Sequence, residues 1–226
     1  MFMDPWYLLL LVVFALSIFA SNRVESTFKK YGKEPAQSGV CGAELANALL
    51  EAHGEPIPVH PVSGTLTDHF DPVNNTVGLS QTVYNNSSVS ALAVTAHEIG
   101  HVLQHQQGYA AIRLRNAVLP VASFSSSFAP LIIIAGLVLG LTNIAWAGVV
   151  LFGAVLAFQV VTLPVEFDAS ARGLRMLEEG GYVSREQIPH AKEVLRAAAM
   201  TYVLAALASL VNLLRFASMV NSRSRD

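Results

Sequence analysis

The chain carries little charge, since only 13% of its 226 residues are Asp, Glu, Lys or Arg, whereas soluble domains contain about a quarter. Its formal net charge of −2 gives no reason to expect a nucleic-acid partner. The single cysteine, Cys41, excludes an internal disulfide and any zinc site built from several cysteines. Hydrophobic residues make up 53% of the chain, and the mean hydropathy is +0.47. This composition predicts a multi-pass membrane protein.

Four apolar runs are each close to the roughly 20 residues that a helix needs to cross a bilayer core. They cover residues 5–20, 117–141, 144–165 and 198–219. The second and third runs are separated only by Thr142 and Asn143, which predicts a transmembrane hairpin over 117–165. The fold class expected is therefore a mainly α membrane protein with about four transmembrane helices.

The distribution of basic residues predicts the orientation. Although "IFAS" at the end of the first run resembles a signal-peptidase site, basic residues such as Arg23, Lys29 and Lys30 follow that run and none precedes it. This favours an uncleaved anchor in the cell membrane with its N-terminus outside. Segments 21–116 and 166–197 are then cytoplasmic and hold 11 of the 14 Lys and Arg residues. Whether the last run spans fully stays open, because a complete span would place the arginines of "NSRSRD" outside.

Segment 21–116 has the pattern of a small cytoplasmic α/β domain of the zincin type. "GAELANALLEAHG" has helical spacing and a stop at Gly54. "PIPVHPV" and "NTVGLS" are short β-type runs. The second is either an edge strand beside a cleft, where it could align an extended peptide, or an ordinary strand of the sheet. Residues 87–107 then predict a long helix that ends at Gly108.

That long helix contains His97-Glu98-Ile99-Gly100-His101. Positions i and i+4 share a helix face, so both imidazoles can reach one Zn²⁺ per chain at about 2.0–2.1 Å. Glu98 can then take the proton of a water molecule that zinc acidifies, as the general base of peptide hydrolysis. Gly100 gives room for close helix packing. The alternative is an amphipathic helix whose histidines coincide by chance.

The third ligand must come from elsewhere in the chain. His105 lies eight residues after His97, or about 12 Å along the helix axis, which is too far for one ion to bind both. The metzincin pattern needs a glycine and a histidine at positions that hold Gln104 and Gln107 here. A gluzincin arrangement with a glutamate on a second helix remains, and Glu166, where the third apolar run ends, is the best candidate because a carboxylate there would otherwise be costly.

These residues resemble the bacterial YugP-type family of membrane zinc metallopeptidases. The resemblance is carried by "DHFDP", "TAHEIGHVLQH", "PVEFDASARGLRML" and "AKEVLRAAAMTYVLAAL", and runs from about residue 39 to 214. The layout is also similar to CAAX-prenyl proteases and heat-shock-induced membrane proteases. The resemblance implies His97 and His101 as ligands, Glu98 as base and Glu166 as third ligand. That wider group usually has an aspartate four residues after the glutamate, where this chain has Ser170.

Four further residues are candidates for a supporting role. Asp168 could orient a ligand histidine, although a surface charge is an equal alternative. His69 lies in a polar cluster with Asp68 and Asp71 that a turn before a proline would also explain. Tyr182 and His190 are candidate donors to the oxyanion of the reaction.

The sequence therefore predicts a multi-pass membrane zinc endopeptidase with its active site at the cytoplasmic face. The partners expected are the lipid bilayer and membrane-protein or peptide substrates, with a membrane regulatory partner or homo-oligomer left open. The rival hypothesis is a non-hydrolytic membrane scaffold or adaptor that keeps structural zinc, and a zinc transporter is a weaker one.

Overall fold

The computed structural model describes residues 5–223 and is mainly helical. Its helices and strands follow in the order α1 Pro5–Tyr31, α2 Gly42–Ala52, β1 Val59–Val62, β2 His69–Asp71, β3 Thr76–Ser80, α3 Gln81–Tyr84, α4 Val89–Gln106, α5 Ala110–Val138, α6 Thr142–Glu179 and α7 Ile188–Arg223. The chain divides into two compact units. We call the first the helical unit (up to residue 19, then 110–164 and from 201) and the second the mixed unit (20–109 and 165–200).

The helical unit is formed from parts of the four long helices α1, α5, α6 and α7. Among the described residues these four are long and apolar enough to cross a membrane, which confirms the four predicted helices. Many of their large apolar side chains point outward, with Phe14 63% and Val150 76% exposed, as expected where lipid replaces water as the solvent. The α5–α6 turn occupies residues 139–141 and not the predicted Thr142 and Asn143, because Gly140 takes the positive φ of +69° and Thr142 already begins α6.

Small residues allow α5 and α6 to pack closely. A Cβ added at Gly136 would meet the backbone nitrogen of Ala145 at 2.5 Å, and one added at Gly148 would meet Ile133 Cγ1 at 2.7 Å. Small residues at such crossings are typical of membrane helices, whose association depends on van der Waals contact.

The mixed unit contains a three-stranded sheet of order β1-β3-β2. β3 pairs in parallel with β1 and antiparallel with β2, so of the two alternatives for "NTVGLS" the edge strand is excluded and the ordinary strand of the sheet is observed. Val77 and Leu79 of β3 are completely buried and belong to the main hydrophobic core. A strand buried in this way needs hydrogen-bonding neighbours on both sides, and this is why β3 is central.

Helix α4 forms the centre of the mixed unit. Ser88 caps it by accepting a hydrogen bond from the backbone N–H of Ala91 at 3.3 Å, and Gly108 beyond its end has a φ of +62°. The observed range differs from the predicted 87–107 by no more than two residues at either end. Because α4 is buried on most sides, its polar residues must find partners within the protein.

Candidate active site

His97 and His101 lie on one face of α4, one turn apart. Their ring centroids are 4.7 Å apart, and the two Nε2 atoms approach to 3.2 Å. Both side chains are largely buried, with 16% and 14% exposed. The helix therefore directs two ring nitrogens at a single point, as the i, i+4 spacing predicts.

Glu166 reaches the same point from α6. Its Oε2 lies 3.4 Å from His97 Nε2 and 3.7 Å from His101 Nε2, and the residue is only 4% exposed. Together the three residues form a group whose ligand atoms all lie within 4.8 Å of one another. The structure thus brings together the three side chains predicted as metal ligands.

Two glycines allow α4 and α6 to approach closely enough for this arrangement. A Cβ on Gly100 would lie 2.6 Å from the backbone oxygen of Ala169. A Cβ on Gly173 would lie 2.9 Å from the backbone carbonyl carbon of Ala96 and 3.0 Å from the backbone nitrogen of His97. Any side chain at either position would force the two helices apart, which supports the sequence-based interpretation of Gly100.

The donor set fits zinc in both chemistry and spacing. Zinc binds histidine nitrogen and carboxylate oxygen at about 2.0–2.2 Å, and tetrahedral geometry then separates two donors by about 3.3–3.5 Å. The observed separations of 3.2, 3.4 and 3.7 Å lie close to that range. Three protein ligands also leave a fourth position for water or substrate, as in catalytic zinc sites.

The far nitrogens of both histidines have polar partners. His97 Nδ1 lies 3.1 Å from Ser170 Oγ, so the serine that departs from the pattern of the wider group contacts one of the two histidines. His101 Nδ1 lies 3.0 Å from Gln104 Oε1. Such contacts orient a ligand ring and leave Nε2 for the metal.

Asp168 supports the site indirectly. Its carboxylate accepts a hydrogen bond from Gln104 Nε2 at 2.8 Å and another from Arg172 Nε at 2.6 Å. Gln104 was not predicted, although its position three residues after His101 on the ligand helix is a signal that could have identified it. Ser170 was noticed only as a departure from a pattern.

Glu98 is 8% exposed and adjacent to His97 on α4. Its negative charge acts on the nearby carboxylate of Asp68. That carboxylate accepts hydrogen bonds from the backbone N–H of Ser80 at 2.7 Å and from Ser80 Oγ at 3.1 Å. Burial raises the pKa of Asp68, the bonds from Ser80 oppose that rise, and the charge of Glu98 adds to it. Glu98 thus has a second acidic side chain in its surroundings.

His101 is affected by the same charges. Burial lowers the pKa of its imidazole, but the hydrogen bond to Glu166, the negative charges of Glu98 and Glu166 and the hydrogen bond to Gln104 together outweigh burial, so the pKa lies above its usual value. In the metal-free protein the ring of His101 therefore holds a proton more readily, and a metal ion must displace that proton in order to bind.

The other sequence-predicted candidates have partners away from the metal group. His69 is exposed on β2, and its Nδ1 lies 2.9 Å from the backbone oxygen of Thr67. His190 stacks on Tyr31 and pairs with Glu34 at 2.9 Å. The ring of Tyr182 packs against the main hydrophobic core.

His105 lies on the next turn of α4 after His101, and its ring also contacts a residue outside the metal group. The rings of His105 and of Phe70 on β2 meet in an edge-to-face arrangement, with their centroids 5.6 Å apart. The metal group found among residues 5–223 does not include it.

This fold and site define a class: a membrane protein of several apolar helices with a two-histidine, one-glutamate metal group. A family model described as "Putative neutral zinc metallopeptidase" matches residues 6–221, and the chain belongs to this family of zinc metallopeptidases. A particular relative is "Putative membrane protease YugP" of Bacillus subtilis (strain 168). It is 45% identical over 219 residues, which cover 96% of this chain and 97% of the relative. No solved structure matches the chain.

Proposed function

We propose that the protein is a membrane zinc endopeptidase that hydrolyses peptide bonds with Glu98 as general base. The observation that carries the proposal is the convergence of His97, His101 and Glu166 on one point, with separations of 3.2–3.7 Å that suit zinc. The family description, which names zinc and peptidase activity, supports it.

The residues divide the chemistry between them. His97, His101 and Glu166 would hold zinc, which when bound supplies a Lewis acid that lowers the pKa of water and polarises a carbonyl group. Glu98 accepts the proton of the attacking water at its carboxylate and then delivers it to the departing amine nitrogen. Because Glu98 is mostly buried, solvent competes little for that proton.

We place the site at the cytoplasmic face of the cell membrane and the substrates among membrane proteins or their exposed ends. The excess of Lys and Arg in segments 21–116 and 166–197 supports the orientation. Along the chain, Glu166 directly follows the apolar run 144–165 within the continuous helix α6, which supports cleavage close to a bilayer. A purified enzyme that preferred soluble peptides to membrane-embedded substrates would refute the substrate assignment.

The experiment that tests the activity is Glu98→Gln in the purified, zinc-loaded protein. The variant is expected to keep zinc, because Glu98 is not a ligand, and to lose cleavage by about 100-fold or more, as general-base removal does. Glu178→Gln is the matched control, since Glu178 is exposed near the end of α6, and it should cleave at the wild-type rate. A wild type that holds zinc but cleaves no membrane-protein substrate would favour the scaffold with structural zinc.

A further inference from the structure

Gln104 is a buried amide that the proposed reaction does not use. It lies in the last turn of α4 and is 0% exposed. A buried amide is costly unless its hydrogen-bonding groups are satisfied. Its oxygen faces His101 Nδ1 at 3.0 Å, while its nitrogen donates to the backbone oxygen of Val165 and to Asp168 Oδ2, both at 2.8 Å.

The chemistry of these partners fixes the orientation of the amide. A backbone oxygen and a carboxylate can only accept hydrogen bonds, so the NH₂ group of Gln104 must face Val165 and Asp168. The amide oxygen then faces His101, and because a carbonyl only accepts, Nδ1 of His101 must carry the hydrogen. In a neutral imidazole this leaves the lone pair on Nε2, the atom directed at His97 and Glu166.

The same amide also holds the second helix. Val165 and Asp168 lie on either side of Glu166 in α6, so their bonds to Gln104 fix the turn that carries the third ligand. Asp168 is held in turn by Arg172, whose Nη1 donates to Gln107 Oε1 at 2.6 Å. The contacts therefore run from Gln104 on α4 through α6 and back to Gln107, the residue that follows α4.

His97 has no equivalent constraint. Its Nδ1 contacts the hydroxyl of Ser170, and a hydroxyl can donate or accept, so this contact is compatible with either tautomer. The two ligand histidines thus differ: the partner of His101 determines where its proton lies, and the partner of His97 does not.

We propose that Gln104 is the positioning residue of the metal centre. It selects the metal-binding tautomer of His101 and fixes the α6 turn that carries Glu166. Through its hydrogen bond to Gln104, Asp168 also affects the zinc affinity of the site. This inference rests on the proposed function only in taking His97, His101 and Glu166 as the zinc ligands. It adds a determinant of zinc affinity that lies outside the ligand set.

The test is the zinc affinity of full-length protein in detergent, measured by competition with a chromophoric chelator. Gln104→Met keeps much of the side-chain volume but removes all three hydrogen bonds, and should weaken zinc binding about 10–100-fold, the range for lost partners of metal ligands. Gln106→Met is the matched control, because Gln106 is an exposed residue of the same helix, and its affinity should equal that of the wild type. A folded Gln104→Met variant within about twofold of wild type would overturn the proposal.

Asp168→Ala tests whether Asp168 affects zinc affinity through Gln104. It should weaken zinc binding about tenfold in the wild-type background and less than about twofold in the Gln104→Met background, because the link is already broken there. Equal losses in both backgrounds would show that Asp168 acts without Gln104, which overturns this part. Should Gln104→Met fail to fold, Asp168→Ala alone decides, and an unchanged affinity counts against the proposal.

These outcomes are distinguishable from failure of the proposed function, because zinc affinity is measured without cleavage. A wild-type protein that binds no zinc, or that binds it equally well after His97→Ala, would refute the zinc site itself and the present inference with it. Normal zinc binding without cleavage would refute the activity and leave the role of Gln104 intact.

Discussion

Replacing Gly100 with alanine should damage the active site through a helix contact and not through any ligand. The added Cβ would lie 2.6 Å from the backbone oxygen of Ala169, whereas carbon and oxygen approach to about 3.3 Å at closest in ordinary C–H···O contacts. Helix α6 must therefore move away from α4 by about 0.7 Å. The oxygen belongs to the backbone, so no side-chain rotation relieves the overlap.

The consequence for zinc follows from the position of Glu166, which lies one turn from Ala169 on α6. A shift of about 0.7 Å would widen its distance to His97, now 3.4 Å, beyond the roughly 3.5 Å donor separation of tetrahedral zinc. It would also move Glu166 further from His101, which already lies at 3.7 Å. We expect zinc affinity to fall at least about tenfold, a change of about 1.4 kcal/mol. Overpacking should also lower the free energy of unfolding by about 1–3 kcal/mol.

Chelator competition and thermal unfolding in detergent measure the two effects. Gly153→Ala is the matched control on α6, because a Cβ there meets nothing within 4 Å, so that it should keep zinc affinity and gain slightly in helix propensity. Wild-type zinc affinity in Gly100→Ala would show that the close approach of α4 and α6 does not set the ligand geometry, and would refute the reasoning.

Three further predictions concern charge, the serine partner and the metal. Asp68→Asn should raise the thermal stability at neutral pH, because burial raises the pKa of Asp68 in the folded protein and a carboxyl group with a raised pKa destabilises the fold once it is ionised. This destabilisation develops as the pH rises from the unfolded-state pKa towards the folded-state pKa. The gain of the variant should therefore vanish as the pH falls to near the ordinary value of 3.8. Asp71→Asn is its control with the opposite sign, since bonds from Asn74 lower the pKa of that carboxyl; equal pH profiles for both variants would contradict this. Ser170→Ala should weaken zinc binding by up to about tenfold, and a retained wild-type affinity would show that its contact with His97 is dispensable. Chelation should abolish cleavage and lower the melting temperature, both restored by zinc, because a ligand at 100 times its Kd stabilises by about 2.7 kcal/mol; a melting temperature indifferent to chelator would argue against a zinc site.

The sequence by itself determined the elements that depend on local pattern. The apolar runs predicted the four long helices because spanning a bilayer requires about 20 apolar residues in succession. The turn signals at Gly54 and Gly108 marked helix ends correctly. The spacing of His97 and His101 predicted two ligand atoms on one face, because the period of the α-helix alone fixes that relation.

The tertiary structure decided what depends on contacts between distant segments. Strand order is one case: "NTVGLS" has the composition of any short strand, and only its pairing with both β1 and β2 makes it central. The distance between Glu166 and the histidines is another, since it depends on two glycines, Gly100 and Gly173, at which the helices touch.

The hydrogen bonds behind the ligands are the clearest example. In the sequence, Gln104 does no more than exclude the metzincin pattern, and Ser170 is only a departure from the pattern of the wider group. Their partners are far along the chain, at Val165 and Asp168 for the first and at His97 for the second. A hydrogen bond acts over about 3 Å and has no sequence period, so only the packing of α4 against α6 shows which polar residues contact the candidate metal ligands.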